Sequence, residues 1–397
     1  MYKNVLNTLE ELTRVPTVSG FESGAYEIIK NLIDPSCEIF ADKLGSIHVI
    51  RRSNAKNSPS NESIEDNSHT NRSDKSIGGN SHINCADESI EGNSAAERGL
   101  PVSRDCTAHV PTILLDAHID EIGFCVTAIE EGGFLRVAPI GGIDARTVCA
   151  SEVEIYGKDR TITGIVCSTP PHLADGSEGK LPKIEDILID TGYSKEELEK
   201  LVGIGIPARF KTSLTQLENG RVTGGGLDDK ACAAVILQLL DNLRDAELSF
   251  DIHALFSTQE ETSSAGARTG VFPYDIDLAI VMDVNFAEAL DCDPRKCIKM
   301  GGGAGFSLSV STCLTQTRRM MQFAQDRGIK CQAVVEATST GTNAEHIRIS
   351  REGIPTVVAS IPLRNMHTPS EIVELGDIEA TAQLLGEYLV HEYGVGE

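Results

Sequence analysis

Positive charge is scarce in this chain. Against 59 Asp and Glu residues stand only 35 Lys and Arg, a formal net charge of −24 over 397 residues. Nucleic acid and anionic membrane surfaces are bound by clustered Lys and Arg. The balance therefore excludes both as partners and suits a protein that gathers cations. Long apolar runs are missing too: none reaches the roughly 18 residues needed to cross a bilayer. Paired cysteines are absent. The 11 cysteines are scattered singly, as at Cys37, Cys125, Cys149, Cys232 and Cys331, with no CxxC spacing. That speaks against a disulfide framework and for a reducing compartment. The opening "MYKNVLNTLEELTRVPTVSG" sets Val5, Leu6, Leu9 and Leu12 at helical spacing between acids. It reads as an amphipathic first helix, not a signal peptide. The expectation is a soluble, cytoplasmic protein.

What is present is ordinary in bulk, with 40% hydrophobic and 24% charged residues, and the length suits about two domains. One segment stands apart. From about residue 53 to 109 the chain is rich in Ser, Asn, Asp and Glu, and the pieces "SIEDNSHTNRSDK", "SIGGNSHINCADE" and "SIEGNSAAERGLP" begin at Ser63, Ser76 and Ser89, a period of 13 residues. So little apolar surface cannot offset chain entropy, and the segment is expected to be disordered. His69 and His82 occupy equivalent repeat positions. That invites a metal site, but a duplicated, solvated insertion is the better reading. Short β patterns follow, "FCVTAI", "FLRVAPI", "SEVEIYG" and "TITGIVCS", spaced as in a small all-β domain. Helix "KACAAVILQLLDNL", strands "DIHALFST" and "DLAIVMDV", helix "TQTRRMMQFAQDRG", strand "IPTVVASIP" and helix "DIEATAQLLGEYLV" then alternate, as in an α/β layer with a mainly parallel sheet. The expected organisation is an α/β body in two parts, residues 1–121 and 213–397, interrupted by a β domain at 122–212.

In α/β sheets reactive groups collect at the carboxyl ends of strands. "TILLDAHIDEIG" delivers His118 and Asp120 there, "FSTQEE" gives Glu260 and Glu261, "AIVMDV" gives Asp283 and "ASIPLRNMHTPSE" gives His367. "VTGGGLDDKACAAVIL" places Asp228 and Asp229 just before a helix. Each has a plainer reading: an Asp before a helix is usually its N-cap, and adjacent glutamates are usually solvated. Together they form a mixed His and carboxylate set that suits Zn²⁺, Co²⁺ or Mn²⁺ better than Ca²⁺.

Read in order, "AHIDEIGF", "GGGLDDK", "STQEET", "VMDV" and "RNMHTPSEIV" resemble the M42 family of co-catalytic metallo-aminopeptidases. "PTVSGFE", "PIGGIDART", "TPPHL" and "KIEDILIDTGYSKEEL" extend the likeness over nearly the whole chain outside the repeat. The resemblance implies a mixed, mainly parallel α/β sheet of the phosphorylase/hydrolase-like dinuclear peptidase fold, carrying a small β-barrel. It implies two divalent metal ions per subunit, Zn²⁺ first. Asp228 would bridge them, His118 and Asp283 would complete one ion's protein ligands, and Glu261 and His367 the other's. Asp120 would accept the free ring N–H of His118, and Glu260 would serve as general base and then general acid. Substrates would be short peptides cut at their N-termini, and the subunits would form a homo-oligomer, possibly a dodecamer. The alternatives are a deacylase or carboxypeptidase of the same clan, or a catalytically silent assembly protein.

Several residues depart from the family pattern. Asn343 in "STGTNAEHIRI" stands where the family carries Asp, Ser46 stands for Asn, and "EETSSAGA" lacks the usual Val-Gly-Leu-Arg. Loss of the acid at 343 would bear on amine recognition, side-chain preference or only local hydrogen bonding. "KMGGGAGFSL" lacks phosphate-loop spacing and is expected either to line the substrate cleft or to form a simple glycine turn. Cys232 is expected to be packed inside its helix.

Overall fold

The computed structural model describes residues 4–54, 109–168, 172, 183–290 and 292–394. Almost all of the repeat segment, with His69 and His82, lies outside the described residues.

Helices α1 (Val5–Arg14) and α2 (Ala25–Leu32) lead into a hairpin of β1 (Glu38–Ala41) and β2 (Ile47–Arg51). Next come β3 (Thr112–His118), β4 (Gly123–Ile129), β5 (Phe134–Ile140), β6 (Glu152–Tyr156), β7 (Thr161–Val166) and β8 (Leu188–Asp190). Helix α3 (Lys195–Leu201), β9 (Pro207–Phe210), β10 (Thr215–Gln216), β11 (Arg221–Gly224) and α4 (Leu227–Asn242) follow. Then come β12 (Asp251–Ser257), α5 (Ala265–Gly270), β13 (Leu278–Phe286), β14 (Ala304–Ser309) and α6 (Leu314–Arg327). The last elements are β15 (Cys331–Glu336), α7 (Ala344–Ile347), β16 (Thr356–Leu363), β17 (Glu371–Glu374) and α8 (Leu375–Tyr393).

Eight strands form one mixed sheet in the order β1-β2-β12-β3-β13-β16-β14-β15. Its centre, β12-β3-β13-β16, is wholly parallel, while β2 runs antiparallel to β12 on one side and β14 antiparallel to β16 on the other. The four central strands are almost entirely buried. That is why they read as near-continuous apolar runs and not as alternating ones. Helix α4 lies against this sheet with 13 of its residues buried. Its run Ala231, Cys232, Ala233 and Ala234 is small enough to let it approach closely, and Cys232 is fully buried there as expected. Strands β4 to β9 close into a separate barrel in the order β4-β5-β8-β7-β6-β9, with its own core of Phe124, Val137, Ile155, Ile189 and neighbours. In β7 burial alternates strictly, the pattern of a strand with one face inward.

The glycine-rich stretch is a turn and not a cleft wall. Gly301 and Gly303 donate their backbone N–H groups to the Asp377 carboxylate, both at 2.7 Å. Ala304 then opens β14, a strand that the run of glycines concealed.

Asn54 and His109, which flank the residues left undescribed, lie at one end of the sheet. Asp251, the first residue of β12, pairs with Thr112 of β3, and Ile252 pairs with Arg51 of β2. Both junctions therefore lie at the amino ends of the parallel strands, opposite the site described next.

Candidate active site

The carboxyl ends of the parallel strands open into a cavity of about 410 Å³ lined by His118, Asp228, Glu260, Glu261, Asp283 and His367. Strand β3 ends on His118, the chain leaving β12 reaches Glu260 and Glu261, β13 carries Asp283, and the chain leaving β16 reaches His367. Asp228 enters from the head of α4. Its backbone (φ −79°, ψ 104°) and that of Asp229 are non-helical, and the helix cap falls on Gly226. Freed from a capping role, the Asp228 carboxylate faces two imidazoles. Oδ1 lies 3.1 Å from His118 Nε2 and Oδ2 lies 3.3 Å from His367 Nε2. His367 Nε2 is also 3.3 Å from Glu261 Oε2, and His118 Nε2 is 4.0 Å from Asp283 Oδ1.

The supporting contacts are specific. His118 Nδ1 lies 3.1 Å from the Asp120 backbone carbonyl and 3.5 Å from its carboxylate. That carboxylate is engaged elsewhere, accepting the backbone N–H groups of Glu260 (3.0 Å) and Glu261 (3.2 Å). Asp120 thus pins the paired glutamates while its backbone orients the histidine. His367 Nδ1 lies 2.8 Å from the Gly142 carbonyl, so the loop after β5 braces the second histidine. A Cβ at Gly142 would come within 3.0 Å of that ring nitrogen, which accounts for the glycines of "PIGGIDART". His367 and Gln259 both hold positive φ, 61° and 60°, a conformation that a non-glycine residue keeps only under external constraint.

Carboxylates outnumber cations here. None of the cavity-lining residues is Lys or Arg. Burial, reinforced by Glu261, Asp120 and Asp228 and opposed by His118, pushes the Glu260 carboxyl up to about 7. Burial and then Asp229 push Asp283 well above the carboxylate range. Burial alone would depress the histidines. The carboxylates of Asp120 and Asp228 nevertheless raise His118, and those of Asp228 and Glu261 push His367 up to about 11. A group of acids so placed lacks positive charge, and the donors fit a metal. His118, Asp228 and Glu261 offer ligand atoms within 4.8 Å of one another, as do His118, Asp229 and Asp283. Imidazole and carboxylate donors suit divalent transition ions.

Two contributors, Glu371 and Glu22, escaped the sequence reading, and Asp229, named there beside Asp228, was given no role. Asp229 is fully buried and neither of its oxygens has a hydrogen-bond partner. Glu371 accepts the backbone N–H of Asp228 (3.2 Å) and of His367 (3.0 Å), fixing two site residues at once. Glu22 accepts the backbone N–H of Gln259 (3.1 Å) and so steadies the turn before Glu260. Only Glu371 left a signal, an acid four residues past His367. Asn343 does not line the cavity. It lies buried, donating to Asp116 (3.0 Å) and to Ser257 (2.9 Å), so of the three consequences weighed for its departure, local hydrogen bonding is the one seen.

A barrel-bearing α/β sheet with histidines and acids gathered at its carboxyl edge defines a class, the metal-dependent peptidases. Within that class the chain belongs to the M42 glutamyl aminopeptidase family, whose model matches residues 102–384. It is 31% identical to the lysyl aminopeptidase of Pyrococcus furiosus, over 69% of this chain and 80% of that one. It is 25% identical to the glutamyl aminopeptidase of Lactococcus lactis, over 68% and 77%. A TET aminopeptidase from a marine-sediment thaumarchaeon superposes with a TM-score of 0.79 at 25% identity, covering 97% of this chain and 96% of that one. The Pyrococcus horikoshii TET1 peptidase, described as assembling into a tetrahedron or a large octahedral shell, shares the fold with a TM-score of 0.75 at 24% identity, over 97% and 99%. The protein is therefore an aminopeptidase of a metal-dependent family. Among the described residues no helix is long and apolar enough to cross a membrane.

Proposed function

We propose that this aminopeptidase removes single N-terminal residues from short peptides with two divalent ions and with Glu260 as its proton carrier. The observation that carries this reading is Asp228, whose two oxygens face two different histidines, each with a further carboxylate beside it. Asp228 would bridge the ions, with His118 and Asp283 on one and Glu261 and His367 on the other. Zinc is the first choice and cobalt or manganese the alternatives. When bound, such ions polarise the scissile carbonyl and make a water acidic.

The chain's own part is to hold these groups still and to move one proton. Glu260 lines the cavity, and Asp120 fixes its backbone. Its carboxylate takes the proton of the attacking water and gives it to the departing amine. Asp229, whose carboxylate lies within 4.8 Å of ligand atoms of His118 and Asp283, would add negative charge beside the ion assigned to those two. We assign the body to residues 1–121 and 213–397 and the barrel to 122–212. The barrel shapes the cleft through Gly142 and serves as the contact between subunits of a closed shell.

The test is hydrolysis of aminoacyl-p-nitroanilides by purified protein, stripped with EDTA and reloaded with each ion in turn. Glu260→Gln should lower kcat by about 10²- to 10⁴-fold, with metal content unchanged, and N-acetylated substrates should resist. Full activity in Glu260→Gln, or cleavage of blocked substrates, overturns the reading.

A further inference from the structure

Four of the five acids lining the cavity have a place in the proposed reaction: Asp228, Glu260, Glu261 and Asp283. The fifth does not. Glu336, the last residue of the outer strand β15, lines the same cavity with Thr340, Gly341 and Thr342 of the loop that follows it. Its side chain is half-buried, with Ser307 and Asn285 as its polar neighbours. Burial pushes its carboxyl up, while Ser307 and Asn285 beside it act the other way. Among the described residues no Lys or Arg lines the cavity to answer it. A half-buried carboxylate with polar neighbours but no cation beside it gains from a ligand that brings a positive charge. Apolar groups share the lining: Val284, Phe286 and Met366. Phe286 is 55% exposed.

We infer that Glu336 selects peptides whose first residue is basic, receiving the side-chain cation of an N-terminal Lys or Arg. This rests on the proposed aminopeptidase reaction and names its substrate class. The geometry supplies both halves of such a side chain with a partner. Its methylene stem lies along Val284, Phe286 and Met366, as long cationic side chains do when the stem is buried and the head is paired. Its charged head meets Glu336 in a charge-assisted hydrogen bond. An N-terminal Glu or Asp finds the opposite, with one more buried carboxylate and no Lys or Arg to pair with. The preferred order is therefore basic, then aliphatic, then acidic.

The experiment compares lysyl- with norleucyl-p-nitroanilide, which differ by the terminal ammonium, using metal-loaded wild type and Glu336→Gln. Wild type should favour the lysyl substrate in kcat/KM. Glu336→Gln should lower that value by about 10- to 100-fold while leaving the norleucyl value within about threefold, as expected when only a charge is removed. Equal values for both substrates in wild type, or an equal fall for both in the variant, overturns the inference. Cleavage of neither substrate counts instead against the proposed reaction. Calorimetric binding of free L-lysine against L-norleucine then decides the question, since the inference requires tighter lysine binding that Glu336→Gln abolishes.

Discussion

Two buried ionic clusters lie side by side in this molecule, built from neighbouring residues, and they are opposites. Glu121 follows the site residues His118 and Asp120, and Lys230 follows Asp228 and Asp229, yet these two form a closed set. Glu121 Oε2 is 2.9 Å from Lys230 Nζ, and its Oε1 is 3.1 Å from Arg209 and 2.9 Å from the Thr17 backbone nitrogen. Arg209 goes on to the carbonyls of Thr13, Arg14 and Val15. Burial would raise the Glu121 carboxyl, but the two cations hold it below the usual range. A few residues away the site cluster has several carboxylates, two histidines and, among the described residues lining its cavity, no Lys or Arg. There, against burial, the two histidines hold Asp228 low, while burial pushes Glu260 and Asp283 up. A cluster that supplies its own counter-charge is a strut, here tying barrel strand β9 to the carboxyl end of α1. A cluster that leaves its charge unanswered is a place for ions and substrate.

The largest expected effect comes from breaking the closed set. Glu121→Gln strands a fully buried ammonium and should cost about 3–5 kcal/mol in urea unfolding, with or without chelator. Asp283→Asn should behave differently. In EDTA it should be neutral or stabilising, since it removes a charge that burial and Asp229 oppose. In the loaded protein it should weaken metal binding. Equal destabilisation of both variants in chelator would erase the distinction between the clusters.

Glu371 sharpens the contrast because it sits between the two. It belongs to neither by side-chain pairing, yet it holds the backbones of Asp228 and His367, and Lys230 feels its charge. Glu371→Gln keeps an acceptor but loses the charge. Supporting residues of this kind typically change metal affinity by about 10- to 100-fold, and that loss is expected here with the unfolding midpoint nearly unmoved. Titration with a competing chelator measures the first and urea denaturation the second. A large stability loss without a change in affinity would place Glu371 in the strut.

Much of this was legible in the sequence, for identifiable reasons. β3, β12, β13 and β16 are buried on both faces, so each is an apolar run ended by the acid or histidine it presents, and His118, Glu260, Glu261, Asp283 and His367 could be found by walking to those ends. Four of the six barrel strands, β4 to β7, were visible as short β patterns, while β8 and β9 were not read. Where sequence reading faltered, the cause was tertiary pairing. Nothing in "HIDEIGF" separates Asp120, which holds the backbone of the two glutamates, from Glu121, which meets Lys230 and Arg209. Asn343 was visible as a departure, but its place under the sheet beside Asp116 depends on the path of the chain after β15. β14 was hidden because its preceding glycines dominate a local reading, and the hold of Asp377 on them comes from α8.

Buried imidazoles extend the comparison to a third cluster, one with almost no charge at all. His253 lies 2.8 Å from His48, against Tyr274, with Asp42 reaching only His48 and Arg52 repelling it. Burial, with help from His48 and Arg52, depresses His253 to about 3, where carboxylates push His367 up to about 11. The sign of the consequence follows. Above the ordinary value of 6.5 both folded and unfolded chains carry His253 neutral, and stability is whole. As pH falls from 6.5 toward 3 the unfolded chain binds a proton that the folded one refuses, so stability drops by up to about 1.4 kcal/mol per pH unit. In metal-loaded protein, where the site histidines are held by their ions, His253→Gln should keep a hydrogen bond to His48 but remove this titration. Between pH 7 and pH 5 wild type should lose roughly 2 kcal/mol more than the variant by urea unfolding. Parallel losses in the two proteins would mean that His253 is protonated in the folded state, and that the third cluster carries charge after all.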